Sequence, residues 1–303
     1  MFSISESSTK TRIAPTPSGF LHLGNALSFV VTAALARQRN TGLLLRIDDM
    51  DSNRIQLDYV SDAFKTLAWL GIEWSEGPFN QKELSDRWSQ IHRVHHYEVL
   101  IKRLLDSGHL YPCGCSRKEI ADRGGVGSIE HDCRANDVDP KQPEISWRIK
   151  LPKECVVEIQ DEVKGRIDVN LKTEMPDFVI RRRDGIPSYQ IASLADDLFF
   201  GIDLIIRGDD LLASTAAQLY LANQLEESEF GNSTFIHHPL IKANDGAKLS
   251  KSAGSNALET MRQQGVKPEM VYSMIATQLG MNSLVNDLGS FAKNFDSQLH
   301  LRG

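Results

Sequence analysis

The chain has 303 residues, with 34 lysines and arginines against 40 aspartates and glutamates, for a net charge of −6. A content of 41% hydrophobic and 24% charged residues is globular and argues against a disordered chain, a collagen-like fibre and a coiled coil. The mild acidity excludes a protein that coats nucleic acid by bulk charge, though not one with a local basic face.

The amino-terminal stretch MFSISESSTKT has no apolar signal core, and no apolar run approaches the roughly 18 residues of a membrane span. A cytoplasmic chain with no membrane partner is expected. Residues 11–14 read as a short strand, and Leu23 to Asn40 as a helix stopped by Thr41-Gly42. Leu43 to Ile47 suits a buried parallel strand. Leu57 to Leu70 reads as a helix with Leu57, Val60, Phe64 and Leu67 on one face. Asp86 to Ser107 reads as one longer helix ended by Gly108. The alternation predicts a parallel sheet built from βαβ units.

Near Tyr111 the pattern changes. A cysteine cluster, the glycines Gly124, Gly125 and Gly127, and short strands at 145–151 and 155–160 predict an inserted α+β subdomain at about 100–185. The α/β pattern resumes with a strand at Asp203 to Arg207 and a helix at Asp210 to Glu227, and from about 243 the chain reads as helical. The expected layout is a Rossmann-type α/β domain over 1–242, interrupted by the insertion, and a short helical region over 243–303.

Two loops carry phosphate chemistry. Arg12-Ile-Ala-Pro-Thr-Pro-Ser-Gly19, followed by Phe20-Leu-His-Leu-Gly-Asn25, lies between a strand and a helix start. Two prolines stiffen it, Gly19 and Gly24 permit close backbone approach, and the free N–H groups of the first helical turn favour phosphate. The alternative is a Pro-rich turn with a capping histidine. About 225 residues later, Lys248-Leu-Ser-Lys-Ser252 sets two lysines three apart in a polar loop that can clamp a triphosphate. Alone it also reads as an exposed basic loop.

The two loops in this order resemble the class I aminoacyl-tRNA synthetases. His22-Leu-Gly-Asn25 matches their HIGH signature with Asn at the last position, and Lys248 to Ser252 matches KMSKS with Leu for Met. The nearer resemblance is to glutamyl-tRNA synthetases, whose R-x-A-P-[ST]-P-[ST]-G-x-L-H-x-G pattern is met from Arg12 to Gly24. Further matches are Leu45 to Asp51, Asp177 to Arg181, Asp184 to Tyr189, Asp196-Asp197 and Ile206 to Asp210. Only about 50 residues follow the lysine loop, which would leave a stem-contact piece without an anticodon-binding domain. The string Arg207-Gly-Asp-Asp-Leu-Leu-Ala-Ser-Thr215 resembles the short glutamyl-queuosine tRNA(Asp) synthetases.

That resemblance implies glutamate activation with ATP and Mg²⁺, without tRNA, and transfer to the queuosine base in the anticodon stem-loop of tRNA(Asp), by a monomer. It places Arg12, Ala14, Thr16, Asp48, Tyr189 and Arg207 around glutamate. It places His22, Gly24, Asn25, Lys248, Ser250 and Lys251 around ATP, with His22, Lys248 and Lys251 as the catalytic groups. Asp48 suits the substrate ammonium, and Arg12 and Arg207 its carboxylate. The rivals are a truncated synthetase charging the tRNA 3′ end, a non-catalytic tRNA- or nucleotide-binding paralogue, and another nucleotidyltransferase with a similar loop.

Cys113, Cys115 and Cys133 cluster, while Cys155 lies in an apolar strand and reads as core. Three thiolates with His131 suit one structural tetrahedral Zn²⁺. Related enzymes read CxC…YxxxC, but Ile129 stands where their tyrosine would be. Water or His109 are other fourth ligands, and three small buried thiols are the alternative.

Overall fold

The computed structural model describes residues 9–51, 55–122, 124, 133, 138–139, 142, 144–241 and 257–302. Nine strands are present among them. β1 (Lys10–Ile13), β2 (Gly42–Leu45), β3 (Leu110–Cys113), β4 (Ser146–Ile149) and β5 (Val156–Asp161) come first. They are followed by β6 (Gly165–Asn170), β7 (Val179–Arg181), β8 (Leu204–Gly208) and β9 (Thr234–His238). Six strands form one sheet in the order β2-β1-β8-β9-β5-β6, parallel throughout except for the antiparallel β5–β6 hairpin. The other three form an antiparallel sheet, β3-β4-β7. This is the α/β architecture, a largely parallel sheet with a smaller separate sheet, that the sequence implies.

Alternation along the strands divides the molecule into two cores. Ile13, Leu43, Leu45, Leu204 and Ile206 face helix α1 (Leu23–Arg39), while Leu44, Ile205 and Phe235 face the helices Val94–Asp106, Tyr189–Phe199 and Leu212–Gln224. Helix α1 buries eleven side chains, from Leu23 to Ala36. It ends at Asn40, which takes the left-handed conformation (φ 53°) that lets its N–H return to the Ala36 and Arg37 carbonyls. Helix α2 (Leu57–Trp69) packs Val60, Ala63 and Leu67 against the same core.

Three carboxy-terminal helices, Leu258–Gln263, Pro268–Gln278 and Leu288–Asn294, join the α1 core through Leu258, Tyr272, Ile275 and Phe291. The Gln38 amide donates to the carbonyls of Ala292 (2.6 Å) and Phe295 (2.7 Å), and Tyr272 Oη donates to the Leu70 carbonyl (2.6 Å). Among the described residues, no helix is long and apolar enough to cross a membrane.

The structure differs from the sequence reading in three places. The single helix expected from Asp86 to Ser107 is a π-helical turn (Leu84–Trp88), a 3-10 turn (Gln90–Arg93) and an α-helix (Val94–Asp106), hinged at extended Ser89. The reason is tertiary. The Gln90 N–H, which a continuous helix would commit to the carbonyl four residues back, donates instead to Asp49 Oδ1 (2.8 Å), while the Gln90 amide and Arg93 reach Asp196. The helix expected over Asp210 to Glu227 starts as a 3-10 turn (Asp209–Leu211) and closes by Gln224, before Glu226 takes φ 59°. Finally, the β5–β6 hairpin, although inside the 100–185 segment, is hydrogen-bonded to the main sheet through Asp161 opposite Phe235.

Candidate active site

The loop after β1 leads into α1 through His22, which caps the helix. The Asn25 N–H donates to His22 Nδ1 (3.3 Å) and the His22 N–H donates to Asn25 Oδ1 (3.0 Å), a reciprocal capping box. This explains why Gly24 stands between them, since a Cβ there would lie 3.0 Å from the His22 ring. His22 also pairs with Ala257 as an antiparallel bridge, and the Leu258 N–H donates to the Leu21 carbonyl (2.8 Å). The chain that follows the lysine loop therefore returns beside His22. Lys248, Ser250 and Lys251 themselves, like His131, lie outside the described residues.

Behind this loop, at the carboxy-terminal ends of β1, β2 and β8, sits a buried polar cluster. Asp197 accepts from Arg12 Nε (2.9 Å) and Nη2 (3.2 Å), Arg46 Nη1 (2.7 Å) and Arg207 Nη2 (3.4 Å). Arg46 also forks onto Asp48 (2.6 and 3.2 Å) and donates to Ser193 Oγ (3.1 Å). Asp196 accepts from Arg93 (2.6 and 3.1 Å), Tyr97 Oη (2.7 Å) and the Gln90 amide (2.9 Å). Arg12, Arg46, Arg93 and Arg207 thus face Asp48, Asp196 and Asp197.

The electrostatics follow from burial and partners. Burial alone would raise Asp197, but Arg12, Arg46 and Arg207 outweigh it and hold the carboxyl below the usual range. Burial lowers Arg207 below its ordinary value, with the like charges of Arg12 and Arg46 adding to the effect. Asp48 moves the other way, because burial outweighs the Arg46 fork.

Two adjoining cavities open over the cluster. The smaller, about 280 Å³, is lined by Arg12, Ala14, Thr16, Asn25, Tyr189 and Arg207 among others. The larger, about 790 Å³, shares Thr16 and Tyr189 and is lined further by Asp48, Cys115, Arg148 and Arg182. Six residues singled out from sequence thus meet at one cavity. Asp48 faces the next, while His22 and Gly24 stand at the helix start. Arg182, on the wall of the larger cavity, is paired with Asp51 (2.6 Å) and Asp184 (2.7 Å).

Arg46, Arg93, Gln90, Ser193, Thr215 and His237 carry much of the network but were given no role from sequence. The usable signal was an arginine at the end of an apolar strand in Leu43 to Ile47, together with the buried pair Asp196-Asp197.

At the end of β3, Cys113, Cys115 and Cys133 bring their sulfurs within 4.8 Å of one another. Cys115 and Cys133 are 3.4 Å apart, and both Cys113 and Cys133 are buried. Burial and its neighbouring cysteines push Cys133 up to about 12. Cys113 is held below its usual range because the Cys115 N–H and Arg148 outweigh burial. Sulfurs at this separation fit a tetrahedral ion with metal–sulfur distances of about 2.3 Å.

The catalytic-domain family "tRNA synthetases class I (E and Q)" matches residues 8–294. The chain belongs to this family. This synthetase catalytic domain is 33% identical over 282 residues to the glutamate–tRNA ligase of Aquifex aeolicus, covering 89% of the chain and 57% of that protein. It is 35% identical over 283 residues to glutamate–tRNA ligase 1 of Methylococcus capsulatus, covering 89% and 59%. The chain therefore spans under two thirds of the length of these relatives. The fold matches the crystal structure of glutamate-tRNA synthetase from Elizabethkingia anophelis with a TM-score of 0.81 at 23% identity, over 98% of this chain and 67% of that one.

Proposed function

We propose that this synthetase domain activates L-glutamate with ATP, without tRNA, and transfers it to the queuosine base of tRNA(Asp). The observation that carries the glutamate reading is the placement of Arg12 and Arg207 on the wall of the smaller cavity. Two guanidinium groups lining one cavity are what a substrate carboxylate needs. Asp48 at the adjoining cavity supplies the anion for the substrate ammonium, and Tyr189, Thr16 and Ala14 shape the space between.

Activation is attack of the glutamate α-carboxylate on the α-phosphorus of ATP, with release of pyrophosphate. The first turn of α1, with His22, Gly24 and Asn25, offers N–H groups and a favourable dipole to the phosphates. The sequence motif Lys248 to Ser252 supports Lys248 and Lys251 as the groups that neutralise the same phosphates. Mg²⁺ accompanies ATP and neutralises phosphate charge. Transfer is attack of a queuosine ring hydroxyl on the activated carbonyl, with AMP leaving. The thiols of Cys113, Cys115 and Cys133 would hold one structural Zn²⁺, for which the sequence offers His131 as fourth ligand. The 243–303 region serves as the stem-contact piece.

The acceptor rests on the string Arg207 to Thr215. A second reading, charging of the tRNA 3′ end, is favoured by the names of the relatives, which are glutamate–tRNA ligases. Two measurements separate the readings. Glutamate-dependent ATP–pyrophosphate exchange is expected without tRNA, and labelled glutamate is expected on tRNA(Asp) only when queuosine is present. Exchange that requires tRNA, followed by 3′-end charging, would establish the second reading. Lys251→Ala is expected to lower exchange at least tenfold with unchanged thermal unfolding.

A further inference from the structure

The deepest part of the cluster is a line of hydrogen bonds that leaves the substrate cavity and ends in the turn of the β5–β6 hairpin. Arg207 Nη1 donates to Thr215 Oγ1 (3.1 Å), which is 2.9 Å from His237 Nε2. His237 Nδ1 lies 2.8 Å from Asp161 Oδ2, and the His237 backbone N–H donates to the same oxygen (2.8 Å). Asp161 Oδ1 accepts from the N–H groups of Val163 (2.9 Å) and Lys164 (2.8 Å) in the hairpin turn. Lys164 Nζ in turn grips both oxygens of Asp209, two residues beyond Arg207 (2.5 and 2.7 Å). Thr215 and His237 have no exposed surface, and Asp161 is 4% exposed.

The order threonine, histidine, aspartate suggests a nucleophilic triad, but the chemistry argues otherwise. The hydroxyl is sealed from both cavities' contents by burial. Arg207 can only donate, so Thr215 Oγ1 must accept from it. The single Thr215 proton has two acceptors in reach, His237 Nε2 (2.9 Å) and the Leu211 carbonyl (3.2 Å), and Thr215 Oγ1 accepts from Arg207 whichever of them takes it. The line has one consequence at the cavity: it fixes the plane of the Arg207 fork.

We infer that Thr215, His237 and Asp161 are positioning residues that hold the Arg207 guanidinium in register for the substrate's side-chain carboxylate, and that they thereby set selectivity for glutamate over glutamine. The hairpin turn at Val163 and Lys164 is the outer anchor of this line. The inference rests on the reading of the smaller cavity as the glutamate site.

The test is ATP–pyrophosphate exchange with Thr215→Val, which keeps the shape and removes the hydroxyl, beside Thr215→Ser, which keeps the hydroxyl. Thr215→Val is expected to raise the glutamate KM at least tenfold, to leave the ATP KM within twofold, and to narrow the preference for glutamate over glutamine. Thr215→Ser is expected to restore all three values to within about threefold of the parent. A role confined to folding would lower the amount of active protein without separating the two KM values. An unchanged glutamate KM in Thr215→Val, or equal rises for glutamate and ATP, overturns the positioning role. Where Thr215→Val does not fold, Asp161→Asn is judged by the same criteria. Absence of glutamate-dependent exchange in the parent chain removes the glutamate site and the inference with it, whereas exchange in the parent with unaltered variants removes the inference alone.

Discussion

Asp197 accepts four guanidinium hydrogen bonds from three arginines, and none of these side chains is more than 4% exposed. Removing the anion from such a site strands buried cations, which costs more than the pair itself contributes. Asp197→Asn is expected to lower stability by about 3–5 kcal/mol, read as a shift of the denaturant midpoint. The carboxyl is held below its ordinary range, so its contribution is fully present above the unfolded value of about 3.9 and is lost as pH falls through the lower folded value. Asp161 behaves in the same sense: burial raises it, but the His237 hydrogen bond and the backbone N–H groups outweigh that. Stability measured down to acid pH should therefore fall more gently in the Asp197→Asn protein than in the parent.

At the scale of elements, backbone geometry sets where the site residues stand. Beyond α2 the chain runs back alongside β2, with the Leu45 N–H donating to the Glu76 carbonyl (2.8 Å). Gly77 there has φ 115°, and a Cβ would collide with the Leu45 carbonyl. Backbone cannot give way as a side-chain tip can. Gly77→Ala is expected to cost about 3 kcal/mol by denaturant titration and to disturb Arg46 on the adjoining residue. The same scale explains which elements could be read in advance. Helix α1 is bounded by local signals, the His22 and Asn25 caps and Thr41-Gly42, so its ends are written in its own residues. The hinge at Ser89 is not, because what breaks the helix is the pull of Asp49 and Asp196 on Gln90 and Arg93.

At the scale of the molecule, two packings hold the site between them. The carboxy-terminal helices press on α1, and the Tyr272 hydroxyl on the Leu70 carbonyl ties them to α2. Tyr272→Phe leaves that buried carbonyl without its donor and is expected to cost about 1 kcal/mol, read by thermal unfolding. On the other side, the three-stranded sheet carries the thiols, with Cys115 lining the larger cavity. Metal analysis of the purified protein is expected to find about one zinc per chain. Chelation or Cys113→Ser is expected to lower both the zinc content and the unfolding temperature; a metal-free parent with an unchanged transition would remove the zinc site.

The sequence by itself determined what depends on near neighbours: the capped helix that follows a Pro-Gly loop, the apolar strands, the cysteine spacing, and the motif residues Arg12, Ala14, Thr16, Asn25, Tyr189 and Arg207 that now line one cavity. Tertiary structure decided which charges meet. Arg12, Arg207 and His237 come from three strands, Arg46 from the residue after a fourth, and Asp197 from a helix. A buried ion network is a balance among all its members at once, so no single segment carries its signature. Spatial strand order, which sets β8 beside β1 and the β5–β6 hairpin beyond β9, converts those scattered residues into one connected network at the cavity.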